Sequence, residues 1–260
     1  MNKHLTFIFL TLICLTAFGQ NALELNEQSK KLIETQEFDK AVPILKQAAE
    51  LGNAESQYNL GYCYQSGIGV EQNSEKAIEW YSKSAEQGWN DGLYAMMMAY
   101  GSGNGVQQDF NKAFSFALKC AENGDGTCMF NVINCYKEGM GTDKDIDKVL
   151  EWAIRLGKLQ NPENLQKSGY ITSSRLNLAY MYRDGTDVEQ NNFISYQWFL
   201  IFNEFKRDFS YIQQGQIVKE IQELENKLTT EQKANGQKEA EKILGRPLKN
   251  MENLYKLFST

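Results

Sequence analysis

Histidine is all but missing from this chain of 260 residues: the single one is His4, close to the start. Proline is scarce, with only Pro43, Pro162 and Pro247. No Walker loop, dinucleotide-binding glycine fingerprint or Cys-x-x-Cys pair occurs. Ser-x-x-Lys, the acylation signature of β-lactam-processing enzymes, is absent too. Without a histidine in its body, the chain offers no Ser-His-Asp or Cys-His pair, and the usual nucleophile–base chemistry has no residues to run on. Basic tracts are also missing. Lys and Arg number 27 against 33 Asp and Glu, for a net charge of −6, which argues against nucleic acid and anionic lipid as partners. No Asn-x-Ser/Thr acceptor is present, which leans toward a bacterial route of secretion. What remains is a globular composition, 42% hydrophobic and 23% charged. Twenty glycines beside three prolines suit many helices joined by glycine-containing turns.

Only one long apolar run exists, Leu5 to Phe18, preceded by Lys3 and His4 and followed by Gly19. Ala17 and Gly19 are small residues at the positions a signal peptidase reads. The segment 1–19 is therefore expected to be a cleaved export signal, with Gln20 as the mature N-terminus. The competing reading is a membrane anchor, for which the run is short. Cleavage removes His4 and Lys3, so the net charge of the mature chain falls from −6 to −7. The expected location is periplasmic or secreted, without membrane insertion after cleavage.

Internal repetition dominates the rest. Leu60-Gly61-Tyr62-Cys63-Tyr64-Gln65-Ser66-Gly67-Ile68-Gly69-Val70 returns as Tyr100, Gly103, Gly105, Val106, then as Tyr136, Gly139, Gly141, and more weakly as Tyr182, Gly185, Val188. Gly67, Gly103 and Gly139 are 36 apart, and Gly185 follows after 46, so the last copy carries about ten extra residues. Asn73, Asp109, Asp145 and Asn191 share this register, as do Trp80, Phe116, Trp152 and Trp198. Each copy reads as two antiparallel helices, roughly 53–66 and 74–87 in the first. The glycines stop one helix in a left-handed turn, and the Asn or Asp caps the next. The small residues Ser56, Gly92, Cys128 and Ser174 are expected to let backbones approach closely. Asp143, Asp145 and Asp147 lack the closing glutamate of a calcium loop, and Asp145 reads as a helix cap. No metal or cofactor site is expected.

The pattern Leu-Gly-x-x-Tyr-x-x-Gly-x-Gly-Val, then Asn or Asp, then Lys-Ala-x-x-Trp-Tyr resembles the Sel-one-like repeat, a relative of the tetratricopeptide repeats. The resemblance covers roughly Asn53 to Phe202, with Thr142 and Asp187 departing from it. It implies an all-α fold, an α/α superhelical solenoid of antiparallel helix pairs. It also implies adaptor or scaffold work on other proteins or peptides through the concave surface, with no catalysis. By likeness to that geometry, Tyr58, Tyr62 and Gln65 line the groove. Their counterparts are Tyr94 and Met98, then Phe130, Asn134 and Lys137, then Leu176, Tyr180 and Arg183. The alternative is that these aromatics pack between helices. Cys120 and Cys128 are spaced like the bridge of the cysteine-rich secreted members, which implies a disulfide after export. Cys63 and Cys135, two repeats apart, read as buried small residues. The remaining readings of function are a structural part of an envelope assembly and, further off, a β-lactam-binding or hydrolytic enzyme.

Four segments are expected: the leader at 1–19, a tetratricopeptide-like hairpin at 20–52 turning at Glu37–Asp39, four repeats over 53–205, and C-terminal capping helices within 206–260. An inserted loop at 158–172 is expected to rim the groove. In the C-terminal part, Ile217, Ile221, Leu224 and Leu228 mark amphipathic helices over 211–227 and 231–244, with Thr229 and Gln232 as a capping box and Gly245 as the stop.

Overall fold

A computed structural model describes residues 21–205, 211–251 and Leu254. The expected leader and its cleavage point lie outside the described residues. Among the described residues every regular element is a helix, and no helix is long and apolar enough to cross a membrane. They divide into two units whose boundary falls inside one helix, Gly126–Glu138.

The first unit holds α1 (21–34), α2 (Phe38–Glu50), α3 (Ala54–Ser66), α4 (Ser74–Glu86), α5 (Asn90–Ser102), α6 (Phe110–Glu122) and the start of α7 (Gly126–Glu138). From α2 to α6 each helix packs on the next, and α3 also touches α5, so equivalent first helices of successive repeats lie side by side. The punctuation follows the chemistry of the sequence. Asn73 and Asp109 cap α4 and α6 by accepting the amide hydrogens of Lys76 and Lys112. Gly67 and Gly103 end α3 and α5 in the left-handed region, with φ of 70° and 76°. The second glycine of each pair does something more. A Cβ on Gly69 would lie 3.2 Å from the carbonyl oxygen of Phe38, one on Gly105 2.9 Å from that of Ser74, and one on Gly141 2.0 Å from that of Phe110. Those three carbonyls are themselves 36 residues apart, each at the head of a repeat's second helix. The glycine lets the loop rest directly on it. The hairpin turn falls at 35–37, slightly before the expected 37–39, because Gln36 takes the left-handed conformation (φ 61°) and Asp39 is already inside α2.

Cys120 and Cys128 form a disulfide, both fully buried, across the turn between α6 and α7. One repeat earlier the same two positions are Ser84 and Gly92, and a Cβ on Gly92 would meet the Ser84 hydroxyl oxygen at 2.5 Å. The register thus places these positions face to face, and cysteines there are within bonding range. Of the other two cysteines described, Cys63 is buried and Cys135 half-buried.

The second unit contains the rest of α7, α8 (Ile146–Gly157), α9 (Leu165–Asp184), α10 (Asn192–Asn203), α11 (Tyr211–Glu225) and α12 (Thr230–Leu244). Asp145 and Asn191 cap α8 and α10 as expected. Every residue from Ser195 to Asn203 is buried, because α9, α11 and α12 all pack on α10. Ile217, Ile221 and Leu224 of α11 with Ala240 and Leu244 of α12 complete this core. The Thr229–Gln232 capping box and the left-handed Gly245 bound α12.

The inserted segment differs from expectation. Only 158–164 is loop; from Leu165 onward the insertion is helical and lengthens α9 to 20 residues, against 13 for α3 and α5. Local hydrogen bonds account for this. Asn164 caps the helix through the amide of Lys167. The Asn161 side-chain amide donates to the hydroxyls of Ser168 and Thr172. The buried Arg175 guanidinium donates to the carbonyls of Gly157 and Leu159 and to Asn161 Oδ1, and stacks 4.3 Å from the Phe205 ring centroid.

Candidate functional site

Within the first unit, α3 and α5 run side by side over the face of α4, and their facing side chains leave a cleft of about 360 Å³. Tyr58, Tyr62 and Gln65 come from α3, Tyr94 and Met98 from α5, and Ala77, Ile78 and Tyr81 form the floor on α4. Tyr62 and Met98 are 49% and 50% exposed, so the rim of the cleft is apolar and open. Tyr58 instead leans inward, its ring centroid 5.7 Å from that of Tyr81. Burial raises the pKa of both the Tyr58 and Tyr81 hydroxyls above the ordinary phenol value. The Tyr81 hydroxyl donates to Gln65 Oε1 at 2.6 Å.

The second unit has a cleft of about 340 Å³ lined by Phe130, Asn134 and Lys137 of α7, Val149 and Ala153 of α8, and Tyr180 and Asp184 of α9, with Asp187 at its edge. It occupies the same place in the repeat. Phe130, Asn134 and Lys137 stand 72 residues after Tyr58, Tyr62 and Gln65, and Tyr180 stands 82 after Met98, the longer interval containing the insertion. Phe130 stacks on Tyr170 of the inserted helical turns, centroids 4.6 Å apart, and Tyr180 meets Phe199 edge-on at 5.2 Å. None of residues 158–172 lines this cleft, so the insertion does not rim it as expected; its Tyr170 packs behind Phe130 instead.

Of the sequence-derived groove residues, Tyr58, Tyr62, Gln65, Tyr94 and Met98 line the first cleft, and Phe130, Asn134, Lys137 and Tyr180 line the second. Arg183 stands apart from both. Its guanidinium pairs with Asp184 at 2.6 Å and with Glu220 of α11 at 2.7 Å, and lies over the Tyr180 ring. These carboxylates raise its pKa further above an already basic value, with Asp184 the larger contributor. Arg183 thus fastens α9 to α11. Sequence reading missed Tyr81, and the available signal was an outlier in the register: Tyr81 stands where the next two repeats have Ala117 and Ala153.

A family model described as Sel1 repeat matches residues 54–89, 92–125, 128–161 and 172–201. No curated protein matches the chain. Among solved structures, a Sel1 repeat protein from Oxalobacter formigenes is similar with a TM-score of 0.60 and 20% identity over 84% of each chain. A protective antigen of uropathogenic Escherichia coli with the same repeat fold has 22% identity and a TM-score of 0.42; the match covers 87% of this chain and 54% of that one. The first likeness establishes the helical-repeat fold.

Proposed function

The chain belongs to the Sel1 repeat family, and from that premise we propose that it is an exported, non-enzymatic interaction module that holds a segment of another protein in the clefts of its repeats. The recurrence of one cleft at one repeat register, in each unit, carries this reading. The exposed Tyr62 and Met98 add to it, since aromatic side chains and methionine are enriched where proteins meet and bury much apolar area at low entropic cost. Export is supported by the leader-like residues 1–19 and by the buried Cys120–Cys128 bridge, which persists in oxidising compartments. A periplasmic or secreted location follows from the same two features. Helices α11 and α12, which cover α10, serve in this reading as the cap that ends the array.

The test is site-specific photocrosslinking from positions 62 and 134 of the intact protein in the cells that make it, followed by recovery of the partner. Tyr94→Ala with Met98→Ala should reduce recovery through the first cleft about tenfold or more, the scale of an interface hot spot. Undiminished capture of the same partner after Tyr94, Met98 and Tyr180 are all changed to Ala would refute the proposal.

A further inference from the structure

The two clefts share a register but not a chemistry. None of the residues lining the first is charged, whereas the second offers Lys137, Asp184 and Asp187. The first also contains a device that the second lacks. Tyr81 is 3% exposed and its ring is held between Tyr58 and the bare backbone of Gly61, where a Cβ would lie 2.6 Å from the ring. A buried phenol must give its proton to an acceptor, and Gln65 Oε1 at 2.6 Å takes it. That bond fixes which end of the Gln65 amide faces Tyr81. Its nitrogen, with two donors, has no partner among the described residues, and Gln65 lines the cleft. In the second cleft the equivalents of Gln65 and Tyr81 are Lys137 and Ala153, so no such pair exists there.

A donor beside an uncharged aromatic floor reads a carbonyl next to an apolar group. We infer that the first cleft is a subsite for an uncharged aliphatic or aromatic side chain on an extended peptide. Gln65, oriented by Tyr81, donates to the main-chain carbonyl beside that side chain. Charged side chains are rejected because no charged residue lines the cleft and entry would desolvate them. This rests on the interaction reading above and names what its first site takes. Tyr81 is a positioning residue that acts through Gln65.

The experiment uses the intact exported chain, isotopically labelled, with the Gln65 side-chain amide resonance identified by its loss in Gln65→Leu. The probes are acetylated, amidated pentapeptides Ser-Ala-X-Ala-Ser with X as Leu, Phe, Lys or Glu. The Leu and Phe peptides should shift the Gln65 amide resonance, and the Lys and Glu peptides should bind about tenfold more weakly or less. Replacing the carbonyl oxygen of X by sulfur should weaken the Phe peptide about three- to tenfold, the value of one hydrogen bond. In Tyr81→Phe, which keeps the ring and its packing, that sulfur effect should vanish. Equal binding of charged and apolar peptides overturns the subsite, and so does a Gln65 resonance that no peptide moves. If photocrosslinking at position 62 still captures a partner in that case, only the subsite fails; if it captures none, the parent reading fails with it.

Discussion

At the scale of single residues, the paired glycines of the repeat have separate jobs. Gly103 needs its left-handed backbone (φ 76°), while the nearest atom to a Cβ there is 3.4 Å away, an ordinary contact. Gly105 needs the same conformation (φ 76°) and also the space, since its Cβ would sit 2.9 Å from the Ser74 carbonyl oxygen. Gly103→Ala should therefore cost about 1–2 kcal/mol from the backbone alone. Gly105→Ala should cost about 1–3 kcal/mol beyond that, from overpacking against another backbone. Denaturant titration of the two variants checks the order, and equal losses would mean that the contact with Ser74 carries nothing. The fourth copy shows how the rule bends. Asp187 takes the place of the second glycine and still adopts φ 62°, a conformation Asp tolerates better than most. The candidate site was legible at this scale to the same degree. That Tyr58 and Tyr62 share one helix face, and Tyr94 and Met98 another, follows from helical spacing; that these faces line a cleft was implied only by the family resemblance. The engagement of Arg183 by Glu220 was not legible, because that carboxylate comes from α11, outside the repeat and therefore outside its register.

Between elements, the repeats solve one packing problem with complementary sizes. Where the first helix carries Gly61, the second carries Tyr81; where the first carries Met97 or Ile133, the second carries Ala117 or Ala153; and Ala179 is matched by Phe199. Gly61→Met alone drives a long side chain into the Tyr81 ring and should destabilise by about 1–3 kcal/mol or more. Tyr81→Ala alone leaves a cavity and should cost about 3 kcal/mol. Together they recreate the pairing of the next repeat, so the double variant should lose much less than the sum, with a coupling energy of about 1–3 kcal/mol. Additive losses in thermal or denaturant unfolding would show that the sizes are not coupled. The helices themselves were largely readable beforehand, since glycine stops and Asn or Asp caps at fixed intervals set their ends to within a residue or two. The insertion was misread as loop for a physical reason. Its Asn161-Pro162 and Gly169 are turn residues locally, but Asn164 caps a helix there and Arg175, ten or more residues downstream, ties the segment down. Long-range hydrogen bonds of that kind leave no periodic trace.

For the molecule as a whole, the cysteines connect the fold to the route the chain takes through the cell. Five cysteines occur, one of them, Cys14, in the segment expected to be a leader. If the leader is removed and the chain matures under oxidising conditions, four remain and two are joined as Cys120–Cys128. Alkylation in denaturant without reductant should then label two thiols, Cys63 and Cys135, and prior reduction should raise this to four. Three labelled thiols without reductant would mean that Cys14 is still attached, and four from a chain shown to start at Gln20 would mean that the bridge never formed. In the folded state the free thiols should react slowly, because burial pushes Cys63 up to about 11 and raises Cys135 as well, leaving little thiolate near neutral pH. The sign of the linkage is fixed by that shift: the native state disfavours the thiolates, so their contribution holds below the unfolded thiol pKa and is lost as pH rises toward 11. The bridge closes a separation of eight residues, which should stabilise the fold by about 2–3 kcal/mol by limiting the unfolded chain. Refolding the reduced protein under reducing conditions and comparing its unfolding midpoint with the oxidised form measures that contribution directly. A midpoint unchanged by reduction would mean that the Ser84–Gly92 style of contact already suffices at this register, and that the cysteines add a covalent bond without adding stability.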